Sequence, residues 1–243
     1  GGGVFPRSLK SIPLNPAIRA SLGILDSVAA MTPAELMKAI LQAPVDLLWN
    51  GGIGTYVKSS RETNMDVGDR ANNALRVDGR ELRCKVVGEG GNLGMTQRGR
   101  IEYADGGGRI NTDFIDNSAG VDCSDHEVNL KILLGLAVQR GELSLEDRNE
   151  LLHRVEQDVV RHVIYDNFLH AQILSQEVDQ SVSRTEAFED LMQALEAEGV
   201  LDRELEALDA HRRLLREACA THGGVEVDME MRACEAEDDT DVI

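Results

Sequence analysis

The sequence predicts an α/β fold followed by an all-helical region, and three observations carry that prediction. Short apolar runs that stop at glycines alternate with helical stretches over the first half of the chain. From Ser124 onward the apolar residues recur at three- and four-residue spacing instead, the period of an amphipathic helix. After about Ala220 neither pattern survives, and acidic residues dominate. Short strands alternating with helices indicate parallel pairing. In sheets of that kind ligands sit beyond the carboxyl ends of the strands.

Taken in order, the first segment mixes Gly and Pro with small polar residues, and organised structure is expected to begin at MTPAELMKAILQA. There Thr32 can cap a helix, Pro33 suits its first turn, and Glu35 stands where a capping box wants a carboxylate. PVDLLWNGG reads as a short strand stopped by glycines, followed by a polar loop from Lys58 to about Asp69 and a short helical stretch near ANNALRV. CKVVGEGG is the next strand-to-glycine unit, and MTQRGRIEYA the helix after it. GGRINTDFIDNSAGV reads as a third short strand or extended segment that ends in another polar turn.

The helical region opens with SDHEVNLKILLGLAV, where Ser124 and Glu127 form a second capping-box pattern. Ser144 with Asp147 caps a long helix running through RVEQDVVRHVIYDNFLHAQILSQ. TEAFEDLMQALEAEG, closed by Gly199, and LDRELEALDAHRRLLREA follow, and these helices are expected to pack as an antiparallel bundle. The division this implies is 1–138, 139–220, and an acidic tail at 221–243 expected to be disordered.

Composition narrows the function classes. The 243 residues suffice for one large domain or two small ones, and 42% are apolar, although only 3% are aromatic. A formal charge of −18 argues against a nucleic-acid partner, which needs clustered Lys and Arg. No run approaches the length of a membrane span. Cys84, Cys123, Cys219 and Cys234 stand too far apart for CxxC pairs, so a reducing, cytoplasmic setting is the simplest reading. The opening GGGVFPRS reads as the middle of a longer polypeptide.

Several familiar signatures are missing. The glycines of GEGGNLG have the wrong offsets for GxGxxG, and there is no GxxxxGK[ST]. His126 and Glu127 do not make an HExxH helix, since position 130 is Leu, and no metal site is expected. In KVVGEGGNLGMT, Glu89 and Asn92 are embedded among glycines. A strand followed by a flexible turn would explain them, and so would a backbone that must approach a ligand closely. Asn50, Asn92 and Asn117 each stand where a strand gives out. Asn is common in turns because its side chain bonds its own backbone, but three in parallel positions on one rim are harder to dismiss. An amide both donates and accepts, which suits a carboxamide such as nicotinamide.

DLLWNGGIGTYVKSS, KVVGEGGNLGMTQRGRIEYA and GGRINTDFIDNSAGVDCSDHEVNLKILL resemble the large bacterial NAD-specific glutamate dehydrogenases, and the resemblance runs from Gly1 to roughly Leu208. It implies that the α/β part is the second half of a Rossmann-like NAD-binding domain. It implies oxidative deamination of L-glutamate to 2-oxoglutarate and ammonia in the parent enzyme, with NAD as cofactor and a homo-oligomeric assembly. Cofactor contacts would come from Asn50, Gly51, Gly52, Glu89, Gly90, Asn92 and Asn117. Asn117, Val121 and Ser124 would line the glutamate pocket. The phosphate-binding glycines and the catalytic lysines and aspartate are expected upstream of this chain. Two other classes stay open: a non-catalytic fragment that binds nothing tightly, and a helical interaction module built on residues 125–220.

Overall fold

The computed structural model describes residues 3–181 and 183–208. These fall into two compact units, Gly1–Ala171 and Gln172–Ile243. The acidic tail, Cys219, Cys234 and most of the last expected helix lie outside the described residues.

Organised structure begins earlier than the sequence suggests. β1 (Ile12–Pro13) pairs antiparallel with β2 (Ala30–Met31), and α1 (Pro16–Leu22) lies between them. The side chain of Asn15 caps α1 by accepting from Ile18 N at 2.8 Å. α2 (Pro33–Leu41) has the expected capping box: Glu35 N donates to Thr32 Oγ1, and Thr32 N donates to Glu35 Oε2. β3 (Leu47–Asn50) follows, and then β4 (Val57–Lys58), α3 (Asn64–Val67), β5 (Val77–Asp78) and β6 (Val86–Glu89).

β3 and β6 pair in parallel, with Leu47 opposite Val86 and Asn50 opposite Glu89. The segment after α4 (Gln97–Asp105) extends this pair through a parallel bridge from Arg109 to Val86. Its extended character is local, because the chain turns at once into α5 (Asp113–Asp116). β4 pairs in parallel with β5, and Met95 bridges to Val57. A core of Val57, Val77, Leu82, Cys84, Val87, Met95 and Tyr103 joins these pieces.

α6 (Ser118–Gln139) and α7 (Leu145–Gln180) are the long helices. Ser144 Oγ accepts from Asp147 N at the start of α7, as its spacing predicts. Ser118 meets Asn167, while further along Glu127 and Glu156 line a shared cleft of about 390 Å³, so the two helices run antiparallel. In the second unit, α8 (Thr185–Ala197) is held by Arg203, which pairs with Glu189 and Glu196. Residues 201–208 form turns rather than the expected helix, with Ala207 at φ 56°.

The Ser124 cap is overturned. α6 starts six residues earlier, after Asn117, which places Ser124 inside the helix. The small residues of SAGVDCS contain no proline, and the helix runs straight through them. Glu127 pairs forward with Lys131 on the next turn instead of reaching back to Ser124.

Candidate functional site

The turns after β3 and β6 and the link between α5 and α6 meet at one rim. Parallel pairing brings the first two together: Gly91 N donates to Asn50 O at 3.0 Å. The third is tied in by two aspartates of α5. Asp116 Oδ2 accepts from Glu89 N at 2.9 Å, and Asp113 Oδ2 accepts from Leu93 N at 2.7 Å. Asn117 then donates through Nδ2 to Asn92 Oδ1, and also to Gly91 O at 3.4 Å. Two of the three amides singled out in the sequence thus touch. Asn50 sits on the adjoining turn, against Gly94, where an added Cβ would fall on its amide nitrogen.

The glycines of this rim serve the protein's own packing first. Trp49 lies across from Gly88 in the parallel register, and its indole covers Gly88 and Gly90. A Cβ at Gly90 would come within 2.4 Å of that ring, and one at Gly91 within 2.6 Å of Gly52 O. Gly52 differs: an added Cβ there meets nothing within 4 Å, so its surroundings are open. Asn92 is exposed, and among the described residues its amide N–H groups have no protein acceptor. Beside the rim, Trp49, Asn50, Gly52, Tyr56, Gly94 and Met95 help to line a mostly apolar cavity of about 260 Å³.

Glu89 is a correction to the sequence reading. Its side chain is 0% exposed and is turned inward rather than toward the rim. Arg100 of α4 grips it with two bonds, Nε to Oε1 at 2.6 Å and Nη2 to Oε2 at 3.1 Å, and Met95 N donates to Oε2 as well. A carboxylate held in this way has its lone pairs committed inside the protein. The far side of α4 is anchored too. Tyr103 donates to Cys84 O at 3.0 Å, and burial, with Cys84 beside it, pushes its phenol well above the ordinary value. Burial works against the charged form of Glu102, but bonds from the Ser60 hydroxyl and N–H and from Arg80 N outweigh it and lower its pKa.

Asn117, Val121 and Ser124 are spaced i, i+4, i+7, so they share one face at the start of α6. Val121 is 60% exposed, and Ser124 is also exposed. Trp49, Arg100, Asp113 and Asp116 went unnoticed in the sequence. The only available signal was the pair of acids three apart in TDFID. Among the described residues no cluster of His, Cys, Asp and Glu could hold a metal ion, and no helix is long and apolar enough to cross a membrane.

These features define a class first: a mixed α/β protein in which glycine-rich turns after parallel strands gather amides at one edge. Residues 1–177 match the family described as bacterial NAD-glutamate dehydrogenase, catalytic domain. The chain belongs to that family. It is 53% identical over 223 residues to the NAD-specific glutamate dehydrogenase of Pseudomonas aeruginosa, covering 92% of this chain and 14% of that protein. Its identity to the protein of the same name from Halomonas elongata is 53% over 215 residues, covering 88% and 13%. For the Mycobacterium tuberculosis protein of that name it is 47% over 227 residues, covering 92% and 14%. The chain thus spans about one-seventh of the length of these relatives.

Proposed function

We propose that this chain works as part of a longer NAD-dependent glutamate dehydrogenase that converts L-glutamate to 2-oxoglutarate and ammonia. In this reading residues 1–138 hold the C-terminal half of a Rossmann-like NAD-binding domain and the helix after it, and 139–220 form a helical region. The parallel β3–β6 pair, ending at a rim of turns, supports that assignment. The observation that carries the proposal is the contact between Asn92 and Asn117, which joins the glycine turn to the start of α6.

The rim fits the cofactor on its own chemistry: the N–H groups of Asn92, which meet no acceptor among the described residues, suit a carboxamide oxygen, and Gly52 faces open space. Asn50, Gly51, Gly52, Gly90, Asn92 and Asn117 would hold NAD. When bound, NAD supplies the hydride acceptor. The protein's part is orientation, holding the two reacting carbons against each other. Asn117 stands between the cofactor turn and the face of α6, where Val121 and Ser124 would border glutamate. The positive end of α6 lies at Asn117, so an anion there is favoured without Ser124 serving as a cap. Glu89 acts from inside, through Arg100. In this reading the lysines and aspartate that handle protons would lie in sequence outside this chain. A cytoplasmic homo-oligomer completes the reading, and exposed Ile132, Leu133, Ile164 and Phe168 on α6 and α7 suit cover by further polypeptide.

In the full-length enzyme, Asn92→Ala should lower kcat/KM for NAD roughly five- to ten-fold, the size of one lost ligand-facing hydrogen bond, without lowering thermal stability. Unchanged kinetics would return the turn to a mere connection. Those exposed helical residues also favour a second reading, a helical interaction module. Such a module is indifferent to Asn92, so the same variant separates the two.

A further inference from the structure

Asn92 reaches its place through a residue in an uncommon conformation. Leu93, the next in the chain, has φ 58°, a left-handed value that non-glycine residues rarely adopt. Its side chain is 65% exposed, so packing does not hold it there. Two polar bonds do. Leu93 N donates to Asp113 Oδ2 at 2.7 Å, and Leu93 O accepts from Thr55 Oγ1 at 2.7 Å. Asp113 is itself steered from inside the protein: its Oδ1 lies 3.4 Å from Arg100 Nη2. That guanidinium is the one that grips Glu89, and its remaining nitrogen donates to Gln97 Oε1 at 3.2 Å. Arg100 is 7% exposed, and its planar fork fixes the relative positions of both carboxylates. A backbone held off its preferred region persists only where its surroundings over-determine it, and such sites concentrate where geometry matters for function.

We propose that Asp113 and Arg100 are positioning residues for the cofactor, setting the Asn92 amide by holding the Leu93 peptide in its left-handed turn. This rests on the reading of Asn92 as a nicotinamide-facing residue. Asp113 acts on the turn directly. Arg100 acts one step further back, by aiming Asp113 and tying it to Glu89 at the end of β6. The chain of contacts thus runs from the buried end of a strand to an exposed amide.

The test uses the full-length enzyme with Asn92→Ala, Asp113→Ala, Asp113→Asn and the double variant Asn92→Ala/Asp113→Ala. Asp113→Ala should lower kcat/KM for NAD about five- to ten-fold while leaving KM for glutamate within about two-fold. Asp113→Asn keeps an acceptor for Leu93 N and should recover most of that loss. In the Asn92→Ala background, Asp113→Ala should add less than about two-fold, because its effect passes through Asn92. Equal losses toward both substrates, no recovery in Asp113→Asn, or full additivity in the double variant would overturn the positioning role. If Asn92→Ala alone changes nothing, the reading of Asn92 itself fails, which is a separate result. Arg100→Lys is the second line, read by the same NAD-against-glutamate split. It retains the charge but loses the fork, and an effect on both substrates alike would count against the proposal.

Discussion

The rim and the helices that follow it are built on opposite terms. Around β6 and α4 the charged groups Glu89 and Arg100 are buried and engaged, and through Asp113 they share one network with the exposed main chain of Leu93. α6 has 22 residues and none of them is buried, and α7 buries only Val163. Ion pairs in these helices, such as Glu127 with Lys131, lie in solvent. The same residue types therefore carry different weights. A buried carboxylate–guanidinium pair fixes geometry because neither partner has water to fall back on. An exposed pair is screened and worth a few tenths of a kcal/mol. The α/β part can specify the rim from within, while the helices leave large apolar side chains such as Ile132, Leu133, Ile164 and Phe168 exposed.

The sharpest break in that comparison is a pair of truncations. Glu89→Ala should cost about 3–5 kcal/mol by stranding Arg100, whereas Glu127→Ala should leave stability nearly unchanged, because its pair with Lys131 is exposed. Opening free energies of β6 and α6 amides, read by native-state hydrogen exchange of the full-length enzyme, would measure both. Comparable losses at the two sites would erase the distinction.

Acid should act next. Because the folded pKa of Glu102 is lowered, its stabilising bonds to Ser60 and Arg80 are fully present above the ordinary carboxylate range. They are lost as pH falls through the depressed folded value. Stability of the α4 region should therefore fall on acidification, and Glu102→Gln should flatten that dependence. Glu127 is also lowered, by exposed Lys131, and there the effect should disappear in high salt. A salt-insensitive dependence at Glu127 would contradict the contrast.

Much of this was legible in the sequence, for physical reasons. Thr32 and Glu35 announce α2 because a capping box is a local arrangement, complete within four residues. LLWN and VVGE announce strands because apolar runs end in glycines, and parallel pairing then gathers the turns without further information. Ser124 and Glu127 show the limit of that logic. Their spacing fits a cap, but it equally fits two residues one turn apart inside a helix, and the upstream SAGVDC decides the matter. Glu89 was legible as important but not as buried, because its partner stands eleven residues away on α4. Asp113, twenty residues beyond Leu93, was invisible for the same reason. β1 and β2 were missed because two-residue strands leave no periodicity to detect.

The central claim is that the rim joining Asn50, Asn92 and Asn117 faces NAD. Hydrogen exchange of the full-length enzyme with and without NAD tests it most directly. The account predicts slowed exchange in peptides covering residues 50–54, 90–94 and 117–121, with residues 145–171 of α7 unchanged. Protection confined to the helices, or none at the three turns under saturating NAD, would contradict it.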